Sequence, residues 1–405
     1  MYQSIHQLYQ ISNKPQRIIL GLMSGTSLDG LDIALCEIAG NGLNTKVKLL
    51  NFKTVLYKEN FKKEVQEIFC KQQVSLEKIC FLNAYIGTYY SQIISETLQE
   101  WNVKNEDVDL IASHGQTIYH SPKTEYQQAF YNSTLQIGDA DHIAFNTNII
   151  TISDFRQKHI AAGGQGAPLA IYGDYFLLSS KDENRILLNI GGIANFTFLP
   201  KNKNIDEILC TDTGSGNTLM DVYIQHYFHN KFYDDNASVA LQGIVNKDLL
   251  NALWLHEFFN QSFPKSTGQE VFNLQFINDA MMASNTMQLS ISDVMATLNY
   301  FTAVTIVDAI NNTIVEKEYT IYVSGGGLNN PLLMQNLQQL LPQHKIQSTE
   351  ILGINPNAKE AILFALLANE TVCGNIVGQA TNSGKAIKNG NNMLSITMGK
   401  ISLPR

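Results

Sequence analysis

Arg17-Ile18-Ile19-Leu20-Gly21-Leu22-Met23-Ser24-Gly25-Thr26-Ser27-Leu28-Asp29-Gly30-Leu31-Asp32-Ile33-Ala34-Leu35-Cys36-Glu37-Ile38 is the stretch that decides the fold. Two short apolar runs flank a polar, glycine-rich centre, which reads as strand, tight turn, strand. Gly25 and Gly30 are placed where a sharp turn can aim backbone N–H groups inward. Thr26 and Ser27 add hydroxyl donors, and Asp29 and Asp32 add oxygens of the kind Mg²⁺ prefers. Such a loop suits an anionic, metal-bound group, polyphosphate above all; a polar hairpin with no bound group is the competing reading. It is not a Walker loop, because no Gly-Lys-Ser/Thr follows and the next segment is strand. It also lacks the G-x-G-x-x-G spacing that opens a helix.

Outward from this hairpin, strand-like and helix-like stretches alternate, which predicts an α/β protein. A third strand is expected over 46–57, helical patterning over 61–100, and a buried strand over 108–113 that ends in His114-Gly115-Gln116-Thr117. A strand end at 151–156 carries Asp154 and Arg156, and the loop 162–168 and a helix from Leu169 follow. The pattern then restarts: strand 185–190, Gly191-Gly192, strand 193–199. Asp212-Thr213-Gly214-Ser215-Gly216-Asn217 precedes a helix over 218–228, and strand 320–323 runs into Ser324-Gly325-Gly326-Gly327 with a helix over 331–341. Four glycine stations at strand ends suit close approach of a phosphate or a flat group to backbone. The repeat predicts two similar halves with a cleft between them. The expected division is an N-terminal extension 1–16, a first domain 17–180 to which 372–405 return, and a second domain 181–371. The glycine- and asparagine-rich stretch 381–392 reads as a surface loop.

With 405 residues, 44% hydrophobic and 16% charged, the chain has material for two full cores. A net charge of -8 argues against a nucleic-acid or anionic-membrane surface, although a loop of N–H groups can still take an anion. Five cysteines without a C-x-x-C pair suggest neither a disulfide framework nor a zinc site, so a reducing cytoplasm is the expected compartment. Ile5, Leu8 and Tyr9 give the first sixteen residues helical spacing without the apolar core of a signal peptide. No run is expected to cross a membrane. His120, His142 and His159 lack metal-ligand spacing. Monomer and homodimer both stay open.

Assembled in order, these motifs resemble the anhydro-N-acetylmuramic acid kinases, a branch of the superfamily of sugar kinases, actin and Hsp70 ATPase domains. The resemblance is carried by residues 21–32, His114-Gly115-Gln116-Thr117, Thr134-Leu135-Gln136-Ile137-Gly138-Asp139, Asp154-Phe155-Arg156, 163–169, 189–195 and Asp212-Thr213-Gly214. Lys265-Ser266-Thr267-Gly268, Ser324-Gly325-Gly326-Gly327 and Asn330-Pro331-Leu332-Leu333-Met334 complete it. What it implies is two actin/Hsp70-like (ribonuclease H-like) domains with ATP and substrate in the cleft between them. The implied activity is an ATP- and Mg²⁺-dependent opening of 1,6-anhydro-N-acetylmuramic acid by water, with phosphorylation at O6, in peptidoglycan recycling. The alternatives are a related kinase acting on a free hydroxyl and a non-catalytic nucleotide switch.

The family's ATP-binding segment corresponds to Gly25, Thr26, Ser27, Leu28, Asp29, Gly30, Leu31 and Asp32, and its general base to Asp154. From the spacing alone a helix or turn cap is the preferred reading of Asp154, and it is the resemblance that turns it to catalysis. Gly191, Gly192, Gly325 and Gly326 are expected to serve the second phosphate contact and the adenosine. Asp29 is the candidate Mg²⁺ ligand, with Asp212 behind it. Arg156 could face the acidic lactyl group of the sugar or form a structural ion pair. His114 and Gln116 are candidate substrate contacts; at its strand end His114 could also be a second acid or base, but a hydrogen-bonded structural histidine is the preferred reading. Ser215 stands where the family usually has proline, which is expected to loosen that turn, and Tyr119 replaces a frequent tryptophan.

Overall fold

A computed structural model describes residues 3–25, 28–121, 132–162, 164, 166, 169–202, 207–228, 230–268, 270–353, 355, 357–374 and 397–405. Thr26, Ser27, the loop positions 163, 165, 167 and 168, and the stretch 381–392 lie outside the described residues. The chain divides into two compact units, Met1–Leu177 with Asn357–Arg405, and Leu178–Pro356.

In unit 1 the opening motif forms β1 (Gln16–Ser24) and β2 (Gly30–Ala39), followed by β3 (Lys46–Leu56). These run antiparallel in sequence, Leu20 opposite Leu35 and Ala34 opposite Phe52. On the other side of β1 lie β4 (Leu110–Ser113), a separate hairpin β5 (Gln116–Ser121) and β6 (Ser133–Ile137), and β7 (Thr151–Ser153). Strands β1, β4 and β7 are mutually parallel, and a last strand, Lys400–Ser402, pairs antiparallel with β7. Period-two alternation decides what each face of β1 buries. Leu20 and Leu22 pack with Ile86, Tyr90 and Ile94 of helix Leu76–Glu100. Gly21 lies under helix Lys359–Cys373.

That C-terminal helix departs from the expected boundary at residue 371. Ala361 through Ala368 are all buried, because it covers β1, β2 and β4 of unit 1. The N-terminal arm departs in the same sense. Its helix Gln3–Ser12 is tied to the sheet by the buried Arg17, whose guanidinium donates to the carbonyls of Ile11, Ser12 and Lys14 and to Asn369 Oδ1.

Unit 2 repeats the topology. Its strands are β8 (Arg185–Ile190), β9 (Ile193–Leu199), β10 (Leu209–Ser215), β11 (Thr320–Ser324) and β12 (Lys345–Ser348), in the order β10-β9-β8-β11-β12. The first three are antiparallel and the last two run parallel to β8. Unit 1 has the same order and sense, β3-β2-β1-β4-β7, with β5 and β6 inserted. Helix Ile291–Thr313 fills the core of unit 2: Val294, Leu298 and Phe301 join one apolar cluster, Ile306 and Ile310 another beneath the sheet. It is long and apolar enough to cross a membrane, contrary to expectation, yet 72% of its most apolar window is buried within the unit.

Candidate active site

The site is built first on the turn after β1. Among the described residues of the turn, Leu28 has a left-handed backbone, at φ 57, and its buried side chain packs into the core. Leu31 is buried in the same cluster, so Leu28 and Leu31 can offer a bound group only backbone. Gly30 is not a turn residue but the first residue of β2, opposite Leu56. A Cβ there would sit 2.6 Å from the Val55 carbonyl oxygen, so this glycine is required by the approach of β3. Gly30→Val is therefore expected to lower the melting temperature as well as nucleotide use. Unchanged melting with lost nucleotide affinity would restore a purely phosphate-facing role.

Beneath the turn, Tyr57 Oη donates to Ser24 Oγ at 2.7 Å, and Ser24 donates to Gln116 Oε1 at 2.6 Å. Gln116 Nε2 then donates to the carbonyls of Gly25 and Thr117. Gln116 is fully buried. Its amide is thus committed to holding the loop, not to the sugar contact expected of it. Asp29 is exposed at the turn, and its carbonyl accepts from Tyr57 N–H. Asp32 faces sideways from β2 and accepts from Thr54 Oγ1.

A second group lies at the ends of β4 and β7. Arg156 donates from Nε and Nη2 to His114 Nε2, at 3.3 and 3.0 Å, and from Nη1 to the Gly166 carbonyl at 2.7 Å. Guanidinium has no acceptor, so His114 is neutral with its proton on Nδ1. Burial, and then the Arg156 charge, push the His114 pKa down to about 3. With Nε2 accepting from Arg156 and burial disfavouring its charge, His114 is a neutral, buried support for Arg156. Burial also lowers Arg156 to about 10, which leaves it charged, with two N–H groups uncommitted among the described contacts.

The unfolded chain protonates His114 near 6.5 and the folded chain only near 3, so the unfolded state holds more protons between these values. Its contribution to stability is complete above pH 6.5 and is lost as pH falls toward 3. Asp212 and Asp221, raised to about 6 by burial, act in the opposite sense, losing stability as pH rises through 6. The difference between wild type and His114→Gln isolates the histidine: the variant's stability should fall less steeply with acid. Parallel denaturation curves across pH 3–7 would contradict the assignment.

Asp154 follows β7 directly, with a left-handed φ of 53. Its Oδ1 is enclosed without a hydrogen-bond partner among the described residues, and its Oδ2 accepts from Lys400 at 2.5 Å. Glu360, at the head of the C-terminal helix, has its pKa raised by desolvation and then by the Asp32 carboxylate, partly offset by Lys359 and Arg156. Asp32 is itself raised by burial. Lys359 is held 2.6 Å from the buried Asp174. Neither Lys400 nor Glu360 was expected at the site from the sequence; both come from chain ends that join unit 1 only by long-range packing.

In unit 2, helix Thr218–Tyr227 turns its first N–H groups onto the hairpin between β8 and β9. Asn217 N donates to Gly191 O, and Gly216 N and Thr218 N to Gly192 O. This helix start is spent inside the fold, so the Asp212–Asn217 station is not an open anion site. Ser215 does not loosen it: it extends β10 and its Oγ accepts from Leu219 N–H at 3.1 Å. Asp212 Oδ2 accepts from Thr267 N–H. Lys265 is packed against the rings of Phe258 and Phe263 at 4.4 Å and donates to the Phe258 carbonyl. Gly325 adopts φ 87 and lies against Ile190, whereas Gly326 lines a cavity of about 550 Å³ with Asn217, Asp221, Tyr233, Asn236 and Asn330.

Each unit is an α/β body on a sheet of the same five-strand order and sense, and unit 1 adds a glycine turn and a strand-end aspartate. Among known proteins, the family described as anhydro-N-acetylmuramic acid kinase matches residues 17–391. The chain belongs to that family. Curated relatives named anhydro-N-acetylmuramic acid kinase include one from Pseudoalteromonas atlantica, 51% identical over the whole of both chains. Another, from Pseudoalteromonas translucida, is 49% identical over 99% of each. A third, from Caldanaerobacter subterraneus, is 38% identical over 98% of this chain and all of that one.

Proposed function

We propose that this chain uses ATP to open 1,6-anhydro-N-acetylmuramic acid with water and to phosphorylate O6, giving N-acetylmuramic acid 6-phosphate and ADP in cytoplasmic recycling of peptidoglycan. The observation that carries the reading is Asp154: a carboxylate at a strand end, with one oxygen enclosed and the other turned outward to Lys400. Asp154 takes a proton from water as the water oxygen bonds to the anomeric carbon. The bond from that carbon to O6 breaks, O6 bonds to the γ-phosphorus, and the bond to ADP breaks. The proton leaves Asp154 to solvent, which balances the reaction. Arg156, anchored on His114 and Gly166, keeps two N–H groups for the acidic lactyl group.

In unit 1 the segment Gly25–Asp32 is the phosphate-binding segment, and Ser24, Gln116 and Tyr57 form the hydrogen-bonded support at its start. In unit 2 the cavity beside Gly326 has the volume for an adenosine. Among the described residues no trio of His, Cys, Asp and Glu forms a metal cage. Mg²⁺ keeps several waters and takes one or two carboxylates together with phosphates, and the exposed Asp29 at the turn is a carboxylate of that kind. Asp29 would hold the ion, and Asp32, whose carboxylate helps raise the pKa of Glu360, is the other acidic residue of this segment. When bound, the ion neutralises charge on the transferred phosphoryl group.

The experiment is product identification by mass after incubation with ATP, Mg²⁺ and the anhydro sugar. The expected product is the sugar plus water plus a phosphoryl group. A phosphorylated sugar that retains the anhydro bridge, or ATP hydrolysis indifferent to the sugar, would overturn the reading.

A further inference from the structure

We propose that Lys400 is a positioning residue for Asp154, so that the last strand of the chain takes part in the reaction; this rests on Asp154 being the base. The strand Lys400–Ser402 pairs antiparallel with β7, and its register sets Lys400 opposite Ser153, the residue before Asp154. The placement is fixed from both sides. Ser402 pairs with Thr151, and Met398 is buried just upstream. Between them Gly399 turns at φ 98 so close to β7 that a Cβ would lie 2.6 Å from Ile152 Cγ2.

Lys400 Nζ lies 2.5 Å from Asp154 Oδ2, with side chains 64% and 23% exposed. Because Oδ1 is enclosed, Oδ2 is the oxygen that can meet a water molecule. Rotation of an aspartate carboxylate about its last torsion is soft, so without a partner the outward lone pairs would not keep one direction. An oxygen with two lone pairs can accept from Lys400 and still accept from water. The lysine thus holds the direction of the second lone pair and leaves it free. Arg156 does not compete for this role, since its committed groups point to His114 and Gly166.

The test uses the full chain as Lys400→Met, Lys400→Arg, Asp154→Asn and the Lys400→Met/Asp154→Asn double variant. Misdirection of a catalytic group costs up to about 10²-fold, so Lys400→Met should lose about ten- to a hundredfold in kcat, with KM for ATP and for the sugar within about twofold. Lys400→Arg should recover most of the rate. The double variant should be no slower than Asp154→Asn, because the lysine acts only through that carboxylate. Melting should not move, since an exposed pair adds little to folding. A wild-type kcat in Lys400→Met overturns the proposal, as does a rise in sugar KM alone, which would make Lys400 a substrate contact. Additive losses in the double variant overturn it too. If Asp154→Asn is itself at wild-type rate, the base reading fails and this proposal falls with it; a slow Asp154→Asn beside an unaffected Lys400→Met overturns this proposal alone.

Discussion

Asp154→Asn is expected to leave ATP binding intact while ring opening and phosphorylation fall together by about 10²–10⁴-fold, the usual scale for loss of a general base. The amide keeps the shape of the side chain but cannot take a proton from water. The turn after β1 and its support by Ser24, Gln116 and Tyr57 are separate from this strand end, so the nucleotide contacts are untouched. Measuring sugar-ring opening and ADP release on the same samples decides the point. A variant that opens the ring at the normal rate but fails to phosphorylate would separate the two steps and exclude a single carboxylate as their link.

A large effect on folding is expected at Gly21. A Cβ on this residue would stand 1.9 Å from the Ala361 carbonyl oxygen and 3.1 Å from Ala365 Cβ. Neither a strand at the centre of a six-strand sheet nor a helix buried from Ala361 to Ala368 can yield locally. Gly21→Ala should therefore push the C-terminal helix off β1 and cost about 3 kcal/mol, at the upper end of overpacking penalties. Gly191→Ala is the control: its nearest neighbours would be 3.6 and 3.7 Å away, in ordinary contact. Denaturant midpoints should differ widely between the two variants. Equal midpoints would mean that the helix does not rest on β1 as described.

The opening hairpin was legible because two apolar runs bounded by glycines specify strand, turn and register locally. Strand 185–190 and strand 193–199 emerged for the same reason and match β8 and β9. Gly30 shows where such reading stops. Its identity is visible in the sequence, but whether it serves the turn or the approach of β3 depends on Val55, which only the sheet register brings over it. Ser215 was expected to loosen a turn because proline was the comparison, whereas its hydroxyl caps the next helix. His114 reads from the sequence as a hydrogen-bonded structural histidine, but its partner Arg156 lies 42 positions away and the Ser24 partner of Gln116 lies 92 away, so neither pairing was visible. Lys400 is 246 positions from Asp154, and no local pattern could connect them. The helix Lys359–Cys373 was assigned to the wrong half because an apolar helix shows that it is buried, not which sheet it covers.

The central claim is that one water opens the anhydro bridge while the bridge oxygen accepts the phosphoryl group. The most direct test runs the reaction in water labelled with heavy oxygen and locates the label in the sugar phosphate by fragmentation mass spectrometry. The account predicts one labelled oxygen at the anomeric carbon and an unlabelled O6 retained from the bridge. Label at O6, or a product with no label in the sugar, would contradict it.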